Sequence, residues 1–289
     1  EFRTANCRNY FLNVRRNVMP QFINTNIMSL NTVRVLDQSQ KSLQTSMERL
    51  SSGKRINHAR DDAAGMAITE QMTSQIKGMN QAVRNSNDGI SMVQTADGAM
   101  EGIASKLQRM RELAVQAANG IYSSSDRDSL DIEFQALDDE IDRVATNTRF
   151  NGIDLLAADL TKKIQTGAEA GATINVELTG VTSSNLGIST DLISSQSSAS
   201  TSIGAIDDAL SIVNSARAKL GATQNRLETT VQDLKNNVEN LSASRSRIKD
   251  ADFASETATL AKNQILQQAG MAMLSQANQL PQQVLKLLQ

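Results

Sequence analysis

From Ile203 to Ile248 the chain repeats apolar residues at alternating steps of three and four: Ile203, Ile206, Leu210, Val213, Leu220, Leu227, Val231, Leu234, Val238, Leu241 and Ile248. Only Arg217, Gln224 and Arg245 interrupt the stripe, so the pattern specifies one long helix with a narrow sticky seam. At about 1.5 Å per residue that helix is roughly 70 Å long, more than the diameter of a compact domain. A seam of this length needs partner helices.

The first half of the chain supplies them. Met72, Ile76, Met79, Val83, Ile90 and Val93 keep the same spacing. Met100, Ile103, Leu107, Met110, Ala114 and Ala117 resume it after a small phase slip near Ala96 and Asp97, the drift expected when a 3.6-residue helix carries a 3.5-residue pattern. Leu130, Phe134, Leu137, Ile141 and Val144 form a third, shorter seam. Three seams from distant parts of one chain predict a mainly α fold, an elongated antiparallel helical bundle or coiled coil.

Composition agrees. The 289 residues are 39% hydrophobic but 3% aromatic, with no Trp and 2 Pro, unlike a typical globular enzyme. A net charge of −2 gives no reason to expect nucleic acid or an anionic membrane as a partner. Cys7 is the single cysteine, so an internal disulfide is excluded. The stretch from Asn263 to Leu285 is free of charge but too rich in Gln and Asn to span a bilayer. No basic region followed by an apolar core marks a cleaved secretory signal.

Residues 1–18 carry Arg3, Arg8, Arg15 and Arg16 without helical period and read as a vector-encoded or upstream-translated extension before Met19. A helix is expected from Ile27 to Leu50, with Val33, Leu36, Leu43, Met47 and Leu50 on one face and Ser51-Ser52-Gly53 ending it. Asp61 or Asp62 is positioned to cap the next helix, which Asn119-Gly120 breaks. Ser125 or Asp126 caps the third, ending near Thr148.

Residues 160–202 change character. Thr173 to Leu178 alternate polar and apolar, and Gly167 to Gly171 offers a turn back to a strand centred on Ile164, so one β-hairpin is expected. From Thr182 to Ser202 the chain is rich in Ser and Thr and only Asp191 is charged, which suits a short exposed connector. The last segment repeats Leu266, Met273, Leu280 and Leu287 every seven residues, with Ala269, Ala277 and Val284 between them, as an amphipathic helix bent or broken at Pro281. Its remaining face is Gln, Asn, Ser and Ala instead of Lys and Glu, which points to a second, uncharged contact surface.

Nothing in the sequence builds a catalytic centre, a metal site or a cofactor pocket. The single His58 lies between two helices, far from Cys7. Glu133, Asp138, Asp139, Glu140 and Asp142 form an acidic face on the third helix, read as solvated or as a pairing surface for arginines. The Met66, Met72, Met79, Met92, Met100 and Met110 stripe reads as core filling. No phosphate-loop, dinucleotide, zinc-protease or nucleophile-elbow motif occurs.

The residues themselves resemble a known family. Ile23-Asn24-Thr25-Asn26, Leu50-Ser51-Ser52-Gly53, Arg55-Ile56-Asn57, Asp61-Asp62-Ala63-Ala64-Gly65 and the run Gln108 to Gln116 closely resemble bacterial flagellins. So do Glu140 to Val144, Phe150-Asn151-Gly152, Leu220-Gly221-Ala222, Asn225-Arg226-Leu227, Ala251-Asp252-Phe253 and Val284-Leu285-Lys286-Leu287-Leu288. The match runs from Met19 to Gln289 in family order.

The resemblance implies a structural subunit that polymerises with itself into the extracellular flagellar filament used for swimming, exported without a cleaved signal. It implies channel-lining helices over residues 19–55 and 250–289. It implies an inner-layer bundle over 56–160 and 203–249, with the hairpin and a short variable connector over 161–202 between them. It also implies partners: filament cap and hook-junction proteins, an export chaperone, and host Toll-like and inflammasome receptors. Arg109, Leu113, Gln116 and Glu133 match the Toll-like receptor contact, and Val284, Leu285, Leu287 and Leu288 the segment read by the chaperone and the inflammasome receptors. The assembly seam is expected on Leu36, Leu43, Leu50, Leu266, Met273 and Leu280. The nearest alternative is the hook-filament junction protein; a helical stalk for signalling or adhesion would need a sensor or anchor that the sequence does not display.

Overall fold

The computed structural model describes residues 25–189 and 191–287, with side chains as far as residue 280. Its elements are α1 (Ile27–Ser52), α2 (Ala63–Ala117), α3 (Ser124–Asn147), β1 (Arg149–Phe150), β2 (Ile153–Asp154), β3 (Leu160–Gln165), β4 (Thr173–Leu178), α4 (Ser183–Leu186), α5 (Gln196–Lys249) and α6 (Phe253–Leu287). They fall into two compact units, one built on α1 and α6 and the other on residues 64–248. The fold is mainly α, as the seams require. The expectations placed on residues 1–18 and on Ile23-Asn24 lie outside the described residues.

In the first unit α1 and α6 run antiparallel. Asn26 Nδ2 donates to the Ala277 carbonyl at 2.7 Å, while Arg49 lies 3.7 Å from Glu256 at the other end. Asn26 also caps α1, its Oδ1 accepting from Ser29 N at 3.0 Å. At the far end Gly53 takes φ 68°, the left-handed conformation that stops a helix and turns the chain. Beyond it the Lys249 carbonyl accepts from Arg55 N at 2.7 Å, and the Gly53 carbonyl accepts from Ala251 N at 3.0 Å. α6 is helical across Pro281, so the expected break there does not occur.

The second unit is organised by α2 and α5, of 55 and 54 residues. Ion pairs from Asp97 to Arg217 (2.8 Å) and from Arg111 to Asp207 (2.6 Å) set them antiparallel. The α5 stripe is buried at Ile206, Val213, Leu220, Leu227, Val231 and Leu234, and the methionines Met92, Met100 and Met110 are core residues. α5 begins seven residues earlier than its apolar period, at Gln196.

α3 closes the bundle with Phe134 and Ile141 fully buried. Its cap is Ser123, not Ser125 or Asp126: Ser123 Oγ accepts from Asp126 N, and the Asp126 carboxylate reaches back to Ser123 N, a reciprocal capping box. Of the two residues expected to cap α2, Asp62 stands directly before the helix and Asp61 lies one residue further out. Asp61 Oδ2 accepts from Asn57 N (3.1 Å) and His58 N (2.9 Å), which closes the loop before the helix.

The expected hairpin is present, with Leu160 opposite Leu178 and Gln165 opposite Thr173. A second, two-residue hairpin pairs β1 with β2 around Asn151 (φ 49°) and Gly152 (φ 78°), the doubly left-handed turn that Asn-Gly favours.

The largest departure from the sequence reading is the Ser/Thr-rich stretch. It is no exposed connector, because Val181, Ser183, Leu186, Ile188, Ile193 and Ala199 are all buried. α3 holds it in place: Asp142 Oδ1 accepts from Ser183 N (2.7 Å), Asp131 Oδ1 from Ile193 N (2.8 Å), and Gln135 Nε2 donates to the Asp191 carbonyl (2.9 Å). The acidic face of α3 is thereby divided. Asp138 and Asp142 turn to this stretch, while Glu133 and Glu140 pair with Arg109 and Arg143.

Candidate interaction surfaces

Arg109 lies near the end of α2, where the seam residues Leu107, Met110, Leu113 and Ala114 are buried and the intervening positions are left outside. Its Nε donates to Glu133 Oε1 of α3 at 2.9 Å and its NH1 to Glu112 Oε2 at 3.0 Å. The hydrogen bond that Arg109 donates to Glu133, seconded by the one to Glu112, raises the Arg109 pKa above the ordinary guanidinium value. Gln116 Nε2 donates to the Tyr122 hydroxyl at 3.2 Å. The fold therefore brings Arg109 and Glu133 into contact on an open surface, with Gln116 tied to Tyr122.

Leu113 is not displayed with them. It is 1% exposed and belongs to the core. Its part is to seat the end of α2, not to present a side chain. The resemblance groups it with Arg109 and Gln116, but as one of the seam positions of α2 it points inward.

The apolar side chains exposed on α2, α3 and the loop between them are others: Val115 (49% exposed), Ile121 (82%) and Ile132 (73%). A signal for two of them was present in the sequence. Val115 falls between the seam positions Ala114 and Ala117, and Ile132 between Leu130 and Phe134, so each is an apolar residue out of phase with its own seam.

In the first unit the expected assembly seam resolves into two different faces. Leu36, Leu43 and Leu50 are half-buried and alternate with the buried Ser39 and Ser46. On α6 the covered row is Leu260, Asn263, Gln267, Gly270, Leu274 and Ala277. Leu36 fits over Gly270, where an added Cβ would meet Leu36 Cδ1 at 3.3 Å. Leu266, Met273 and Leu280 stand outside this row and are exposed, together with Ile265 and Met271. On α1 the residues Ile27, Met28, Leu30, Val33, Val35 and Met47 are also exposed, so Val33 and Met47 do not share the face of Leu36. Large apolar side chains are thus exposed along both helices of the first unit.

The segment Val284, Leu285, Leu287 and Leu288 lies outside the residues whose side chains are described. Among the described residues no cluster of three or more His, Cys, Asp or Glu forms a metal site, and no helix is long and apolar enough to cross a membrane. His58 Nε2 lies 2.7 Å from Glu48 Oε1, a pair on the surface.

Residues 23–161 match the bacterial flagellin N-terminal helical region and residues 203–288 the C-terminal helical region. The chain is 47% identical over 269 residues to a flagellin of Halalkalibacterium halodurans, covering 92% of this chain and 99% of that one. It is 43% identical over 303 residues to a flagellin of Bacillus subtilis, again covering 92% and 99%. A solved structure described as a flagellar hook-associated protein from Vibrio parahaemolyticus superposes with a TM-score of 0.56 over 66% of this chain and 100% of that one, at 15% identity, a likeness of fold alone. The helical ends, the two-helix scaffold and the near-complete coverage of relatives of similar length agree: the chain belongs to the bacterial flagellin family, the structural, non-enzymatic subunits of the extracellular flagellar filament.

Proposed function

We propose that this chain builds a swimming filament by stacking copies of itself through the outward faces of α1 and α6, as a slim subunit without large outer domains. The observation that carries this reading is the separation of faces on α6. One row, from Leu260 to Ala277, is covered by α1, and a second row, Leu266, Met273 and Leu280, is left in solvent. A helix covered on one side by a polar, small-residue row and exposed on the other by large apolar ones gains more from joining neighbours than from folding alone. Residues 19–55 and 250–289 then line the filament channel, and the bundle of residues 56–160 and 203–249 forms the layer around them.

The remaining partners follow from membership of the family. Arg109 and Glu133, with Gln116 beside them, form the surface offered to a host Toll-like receptor, with Leu113 supporting it from within. Val284, Leu285, Leu287 and Leu288 serve the export chaperone and the inflammasome receptors. Filament cap and hook-junction proteins bound the polymer at its two ends. Export proceeds without a cleaved signal.

The test is electron microscopy of purified protein spanning residues 19–289 after addition of short filament seeds. Long uniform filaments are expected. Persistent monomers or short capped stubs would sink the polymer reading and favour a hook-filament junction protein.

A further inference from the structure

The methionines divide by unit. In the second unit Met92, Met100 and Met110 are core residues, and Met66, Met72 and Met79 are half-buried. In the first unit Met28 (62% exposed), Met47 (57%), Met271 (52%) and Met273 (57%) stand in solvent. Exposed apolar side chains share their helices: Ile27 and Leu30 flank Met28, and Leu266 and Leu280 stand seven residues to either side of Met273. A thioether packs as an apolar group, yet its sulfur is a nucleophile toward peroxides wherever solvent reaches it. The sequence holds no Trp and one Cys, Cys7, which leaves methionine as the remaining readily oxidised side chain.

We propose that Met28, Met47, Met271 and Met273 are a modification site at which oxidation by a hydroperoxide decides whether a free chain can join the filament. This rests on the reading that copies meet through the outward faces of α1 and α6. The occupant of those faces is a second copy of this chain. Members of the family are filament subunits, and α6 carries no charge between Asn263 and Leu285 with which to recruit a charged partner.

In the reaction a methionine sulfur attacks one peroxide oxygen. The S–O bond forms as the O–O bond breaks, the proton of the attacked oxygen passes to the leaving one, and water or an alcohol departs. Sulfur gives up two electrons and the peroxide takes them. The product is a sulfoxide, polar where the thioether was apolar. On the free chain water satisfies its oxygen, so the first unit keeps its fold. Between copies that water is lost, and the burial of an apolar group becomes the burial of a polar one. Oxidation therefore acts on addition and not on folding. Chains already in the filament hold the same sulfurs covered, out of reach of the peroxide. The change is reversible, since sulfoxide reductases restore the thioether.

The full chain is treated with hydrogen peroxide, the excess is removed with catalase, and seeded growth is followed by light scattering, each chain against its own untreated sample. Peptide mass mapping should show Met28, Met47, Met271 and Met273 oxidised well before Met92, Met100 and Met110. The critical concentration should rise at least about tenfold, with helix content unchanged by circular dichroism. Reductases for both sulfoxide epimers should restore it. Met28→Leu, Met47→Leu, Met271→Leu and Met273→Leu together should make treated and untreated growth equal, which separates these sulfurs from Cys7 and from the second unit. Should that chain fold poorly, Met271→Leu with Met273→Leu is the second variant, expected to lose most of the sensitivity. Undiminished growth of a chain carrying those sulfoxides would overturn the proposal, as would sensitivity that survives the substitutions. Failure of the untreated chain to grow is a distinct result: it removes the filament reading, and this proposal with it.

Discussion

Gly180 and Ala158 approach so closely that a Cβ on Gly180 would stand 2.8 Å from the Ala158 Cα and 2.9 Å from its carbonyl carbon. The obstacle is backbone, which no rotamer change removes. Gly180 N is also held by Asp159 Oδ1 at 2.9 Å, so the segment cannot shift without losing that bond. Gly180→Ala is therefore expected to destabilise the second unit by about 1–3 kcal/mol. Gly221 on α5 provides the contrast, because nothing lies within 4 Å of its added Cβ. Gly221→Ala should stabilise by roughly 0.5–1 kcal/mol through the smaller entropy of the unfolded chain and better helix propensity. Thermal unfolding of both variants measures the two signs in one experiment.

Arg127 joins the end of α2 to the start of α3. Its Nε donates to the Ala117 carbonyl at 2.8 Å and its NH2 to the Asn119 carbonyl at 3.0 Å, satisfying acceptors that α2 leaves open at its C-terminus. Arg127→Ala should cost about 1.5–3 kcal/mol, the range for hydrogen bonds to a charged group. Arg127→Lys should recover only part of this, since an ammonium cannot reproduce the two-pronged geometry. Equal stability of all three chains in urea would show that water replaces the guanidinium without loss.

Acid should loosen the second unit through carboxylates that its ion pairs and caps hold ionised. Arg111 holds Asp207 below the ordinary carboxylate range through a hydrogen bond, and Ser123 does the same for Asp126 at the α3 cap. Both values are depressed, so their contribution is present above the unfolded pKa and lost as pH falls through the folded one. The melting temperature is expected to drop as pH falls below about 4. Asp207→Asn should flatten that dependence, and an unchanged slope would remove this pair from the account.

The surface of Arg109 and Glu133 separates display from support. Arg109→Ala combined with Glu133→Ala removes an exposed ion pair, which should leave the melting temperature nearly unchanged, and should weaken signalling in a Toll-like receptor reporter assay. Leu113→Ala empties a core position and should cost about 2–5 kcal/mol. Its loss of signalling should therefore appear with a lowered melting temperature. Full signalling by the double variant would refute the assignment of Arg109 and Glu133.

What was legible in the sequence is explained by contrast between faces. The stripe through Leu220, Leu227 and Leu234 stood out because charged residues surround it, and all three are buried. The covered row of α6 was not legible, since Asn263, Gln267 and Gly270 differ little in polarity from their neighbours. The apolar repeat of Leu266, Met273 and Leu280 was read in its place. Periodicity reports that a face is sticky, not which chain covers it. The stretch around Leu186, Ile188 and Ile193 escaped for another reason. Its burial depends on acids of α3 that accept backbone N–H groups from far along the chain, which leaves no local period. Arg109 and Glu133, which the resemblance groups together, pair across α2 and α3, whereas the depth of Leu113 depends on how α2 is rotated in its bundle, which spacing alone fixes only to about one residue position.

The exposed α6 row offers a sharp test of the polymer reading. Leu266 and Met273 are 43% and 57% exposed, so neither is needed to join α1 to α6. Burying two such side chains between copies contributes about 1.5–3 kcal/mol each. Replacing both with glutamate removes that gain and adds charge to a dry interface. The critical concentration for seeded growth should rise by at least about a hundredfold, at roughly 1.4 kcal/mol per tenfold. Gln268→Glu, an exposed polar position on the same helix, adds a charge without removing apolar surface and should change growth far less. Light scattering during seeded elongation measures all three chains. Undiminished growth of the doubly substituted chain would mean that this face meets solvent in the filament and that the contacts between copies lie elsewhere.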